Sequence, residues 1–95
     1  MFHYTDKDGY DGIRAGVDWL FKAGQIVIGR TDVLIETRLS PADALDLCAR
    51  RLADLWPDCI FEDAETAAVY CSYGEVPFGQ TRELIVYRDR AAFES

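Results

Sequence analysis

The residues able to do chemistry in this chain are few and scattered. A nucleophilic arrangement would have to use the single histidine, His3, with one of Cys48, Cys59 and Cys71 or with a Ser and an Asp. His3 sits at the very start of the chain, so any such site needs a sheet to hold it in place. Cys48 falls on the apolar stripe of a helix, whereas a reactive thiolate needs an electropositive and partly exposed setting. Three cysteines at long, irregular spacing, with no CxxC pair and no second histidine, do not make a zinc site. Asp6, Asp8 and Asp11 resemble a calcium loop only superficially. Tyr10 stands where the third ligand belongs and the distal Glu is missing, so the run reads as a solvated turn. Gly74 and Gly79 do not cradle phosphate, because Pro77 removes a donor and Glu75 repels an anion. No catalytic residue, metal or cofactor is expected.

What remains is contact chemistry. Trp19 and Leu47 are apolar residues off the stripes of their expected helices, and together they would form a patch for self-association or partner binding. Phe78, in a loop between Tyr73 and Arg82, makes a contact surface or a lid, unless it folds back onto the core. Asp54, Asp58, Glu62, Asp63 and Glu65 form an acidic stretch without Lys or Arg inside it, suited to steering a basic partner. Solvated helix-end and turn carboxylates are the plainer account of the same residues. A second constellation, Tyr70, Tyr73, Arg82 and Tyr87, would serve the alternative reading, a small-molecule-binding protein or cofactor-free enzyme with its pocket between sheet and helices or at a dimer interface.

These residues depend on the elements that carry them. Ser40 to Trp56 is the clearest. Ser40 suits an N-cap, Pro41 the first helical position, and Asp43 the positive end of the helix dipole. At about 100° per residue, Pro41, Ala42, Leu45, Cys48, Ala49, Leu52, Leu55 and Trp56 share one face. Asp46, Arg50 and Asp54 form an i,i+4 ladder opposite, and Pro57 ends the helix. A second helix is expected from Asp11 to Ala23, with Gly24 as its C-cap and Gly16 allowing close approach on its buried stripe.

Strands fill the rest. Gln25 to Gly29 and Asp32 to Leu39 read as one hairpin, Cys59 to Glu62 and Thr66 to Tyr73 as another. A turn centred near Glu65 would set Cys59 and Cys71 opposite each other on one face, close enough for a disulfide on oxidation. Glu83 to Arg88 holds an unbroken apolar run, which implies a central strand. The tail from Asp89 adds a short helical turn. With Phe2 to Thr5 as an opening strand, the expected fold is α+β. It is a two-layer sandwich in ferredoxin-like β-α-β-β-α-β order with an added C-terminal antiparallel hairpin, both helices covering one sheet face.

Bulk properties bound the function. Ninety-five residues make a single domain, 1–95, and 49% hydrophobic content is too high for intrinsic disorder. A net charge of -7 argues against nucleic acid, whose phosphates need clustered Lys and Arg. No segment approaches the roughly 20 apolar residues of a membrane span, no apolar signal core opens the chain, and the cysteines read as reduced core thiols. The expectation is a cytoplasmic, non-enzymatic interaction module. It would be a homodimer or small oligomer, or would bind a basic protein partner.

Overall fold

A computed structural model describes residues 19–22, 24–29 and 40–95. They form strands β1 (Trp19–Lys22) and β2 (Gln25–Gly29), helix α1 (Pro41–Leu55), strands β3 (Ile60–Asp63), β4 (Val69–Tyr70) and β5 (Glu83–Tyr87), and helix α2 (Arg90–Glu94). A single 3-10 turn, Tyr73–Glu75, lies between β4 and β5. The strands build one antiparallel sheet in the order β1-β2-β5-β3-β4.

α1 forms as its sequence dictates. The Ser40 hydroxyl accepts the Asp43 N–H at 3.1 Å, Pro41 occupies the first turn, and the Trp56 N–H closes the helix on the Leu52 carbonyl at 2.7 Å. Ala44, Leu45, Cys48, Ala49 and Leu52 are buried, and α1 packs with Ile26, Ile28, Phe61, Leu84 and Val86 in one core. Those strand residues share a face because Ile26 pairs with Val86, Ile28 with Leu84, and Phe61 with Val86. β5 is the middle strand, in accord with its unbroken apolar run.

The expected helix from Asp11 to Ala23 is corrected at its C-terminal end: Trp19–Lys22 is β-strand, paired with β2 from Trp19 opposite Ile28 to Lys22 opposite Gln25. Gly24 explains the misreading. Its φ of +81° serves a tight hairpin turn as well as it serves a helix C-cap, so the glycine alone does not distinguish them. The pairing of Gln25 to Gly29 with Asp32 to Leu39 is corrected too, since β2 already has β1 on one edge and β5 on the other. The described residues do not show the ferredoxin-like order; their sheet takes the antiparallel order above. The elements expected at Phe2 to Thr5, Asp11 to Asp18 and Asp32 to Leu39 themselves lie outside the described residues.

The sharing of one sheet face by the two expected amphipathic helices lies outside the described residues, but the C-terminal helix takes the face opposite α1. α1 covers the face of Val86, whereas Phe93 of α2 meets Tyr87, the next residue of β5, edge to face at 5.1 Å. Successive strand residues point to opposite sides, so α2 lies on the other face. Asp89 starts this short helix by accepting the Ala92 N–H at 2.8 Å.

Candidate functional site

The candidate residues divide by what the backbone does with them. Asp63 ends β3 and is only 7% exposed. Its Oδ1 accepts the N–H groups of Glu65 at 2.8 Å and Thr66 at 3.0 Å, while its own N–H donates to the Ala68 carbonyl at 2.8 Å. This is an Asx turn, and its carboxylate is spent on the loop. Glu62, half-buried, accepts the Tyr87 hydroxyl at 2.7 Å. Asp58 and Glu65 are exposed. The acidic stretch is thus not one surface: two of its carboxylates hold the fold and the others face water.

The same turn decides the cysteines. Ala67, at φ +63°, takes the left-handed conformation that completes the loop, and Phe61 pairs with Tyr70, Glu62 with Val69. One step further, that register sets Cys71 across from Ile60 and Cys59 across from Ser72. The two thiols therefore belong to opposite faces, and the expected Cys59–Cys71 juxtaposition is corrected. A one-residue shift in strand register is enough to swap the faces. Cys59 is 5% exposed, while Cys71 is exposed rather than a core thiol. Burial pushes the Cys48 thiol up to about 12 and the Cys59 thiol up to about 11, the latter also disfavoured as thiolate by Asp58. Both are poor nucleophiles.

Leu47 and Phe78 are half-buried and pack against the core. The reason is the loop after β4. Tyr73 donates its hydroxyl to Asp46 and sets its ring 5.2 Å from that of Phe78, which lays this loop along the flank of α1 that periodicity assigned to solvent. The loop is also closed upon itself. Glu75 Oε2 accepts the N–H groups of Cys71 at 3.0 Å and Ser72 at 3.1 Å, and buried Thr81 donates its hydroxyl to the Pro77 carbonyl at 2.9 Å. Among the described residues α1 closes no ion pair, so the Asp46–Arg50–Asp54 ladder does not form at contact distance. Trp19 stands on β1 and not on a helix beside Leu47, which removes the two-helix premise of their shared patch.

The tyrosines do not converge either. Tyr70 pairs with Phe61 and so belongs to the α1 face, whereas Tyr87 belongs to the other. Burial and the neighbouring carboxylates, Asp46 and Glu62, hold Tyr73 and Tyr87 as neutral phenols up to about 12. Arg82 is exposed. Among the described residues every buried side-chain polar atom has a hydrogen-bond partner, and no cluster of three His, Cys, Asp or Glu is placed to hold a metal ion.

No family model, no curated protein and no solved structure matches this chain. Its function has to be read from its own surface. Sequence patterning missed the two large apolar side chains that, among the described residues, the fold leaves in water, Leu55 at 56% and Val69 at 44% exposure. Leu55 lies on the apolar stripe of α1 but in its last turn, past the buried run that ends at Leu52. Exposed Asp54, Pro57 and Asp58 surround it in sequence. Hollows also open on the surface of the described residues. One of about 530 Å³ lies between the end of α1 and the start of α2, and one of about 160 Å³ is lined by Asp43, Asp46, Leu47 and Arg50.

Proposed function

We propose that the chain is a non-enzymatic protein-interaction module that meets a basic partner through the C-terminal end of α1. The observation that carries this reading is Leu55, an aliphatic side chain more than half exposed beside the exposed carboxylates of Asp54 and Asp58. Covering the exposed part of such a side chain is worth about 1–1.5 kcal/mol. Asp54 adds the sign of the partner. The last turn of α1 holds no basic residue, and Asp54 closes no contact ion pair among the described residues, so this carboxylate adds to the negative end of the helix dipole. A Lys or Arg from a partner relieves it, and the net charge of -7 steers such a partner in. Leu55, Asp54 and Asp58 take over the contact role expected of Trp19, Leu47 and Phe78. A cytoplasmic setting is part of the proposal, supported by Cys48 and Cys59 lying buried in the core rather than stapling loops. Among the described residues no helix is long and apolar enough to cross a membrane.

A photo-crosslinking side chain placed at position 55 tests this. The expected product is a basic protein, captured less as salt rises and lost in the Asp54→Lys/Asp58→Lys variant. Capture that survives both changes overturns the proposal. Self-association is the second form of the reading, favoured by Val69 on the edge strand β4. Sedimentation equilibrium tests it: a dimer that Val69→Lys dissociates supports it, and a monomer at every concentration removes it.

A further inference from the structure

We draw no further inference here: the strongest candidate, the open groove between the end of α1 and the start of α2 that holds Cys59, exposed Cys71 and Arg90, carries nothing because nothing in the structure shows what covers it, and its accessible thiol is a lone cysteine whose contact, Arg90 Nη2 at 3.9 Å, belongs to the protein itself.

Discussion

Asp63 shows how one side chain can be misassigned by charge and recovered by geometry. Its carboxylate serves two backbone N–H groups, so Asp63→Ala leaves both without that acceptor and is expected to cost about 1–3 kcal/mol in urea unfolding. Asp63→Asn keeps an oxygen at the same place and should lose less; equal losses would mean that the turn does not depend on this acceptor. The thiols differ in the same local way. Burial suppresses the thiolate at Cys48 and Cys59, while Cys71 lies open. An alkylating reagent at mildly alkaline pH should therefore label Cys71 fast and the other two only as the protein unfolds, with intact-mass spectrometry giving the order. The signal for Asp63 was in the sequence, as an Asp closing an apolar strand before Glu65 and Thr66. The signal for Cys71 was not, since its exposure follows from a pairing register.

At the scale of elements, two turns carry the sheet's geometry. Gly24 accepts the Arg88 N–H at 2.7 Å on its carbonyl, and a Cβ there would meet the Ala92 Cβ at 3.3 Å in a backbone of φ +81°. Gly24→Ala should destabilise by about 1–2 kcal/mol, the left-handed penalty of a residue with a Cβ. Ala67 presents the reverse case, a non-glycine residue at φ +63°. Ala67→Gly relieves that strain but loosens the unfolded chain, for an expected net gain below about 1 kcal/mol. Chemical denaturation of both variants checks the pair, and a loss of stability in Ala67→Gly would contradict the strained turn. α1 was legible in the sequence because its cap, its period and its stop are all local. β1 was not, because the residues from Trp19 to Gly24 satisfy a helix end and a hairpin arm equally well.

At the scale of the molecule, four groups among the described residues titrate in the same direction. Tyr73 and Tyr87 keep their protons to about 12 in the fold against 10 when unfolded, and Cys48 and Cys59 to about 12 and 11 against 9. Between those limits the unfolded chain binds fewer protons than the native one, so unfolding becomes easier as pH rises. Stability from these groups is complete below pH 9 and is lost progressively towards pH 12. Urea midpoints measured across that window should fall, and Tyr73→Phe/Tyr87→Phe should flatten the part above pH 10. A flat profile in the parent protein would remove this linkage. The proposed contact at Leu55 belongs to this scale as well, because that side chain lies past the buried run of α1 that ends at Leu52.

By itself the sequence determined the α+β class, the helix from Pro41 to Leu55, the central place of Glu83 to Tyr87 and the net acidity, all set by local patterning or composition. The tertiary structure decided the rest. Strand partners, the separation of Cys59 from Cys71, the second face taken by α2, the partial burial of Leu47 and the exposure of Leu55 depend on residues far apart in the chain. Their cause is cross-strand hydrogen bonding and packing, where a shift of one residue turns a side chain from the core to water.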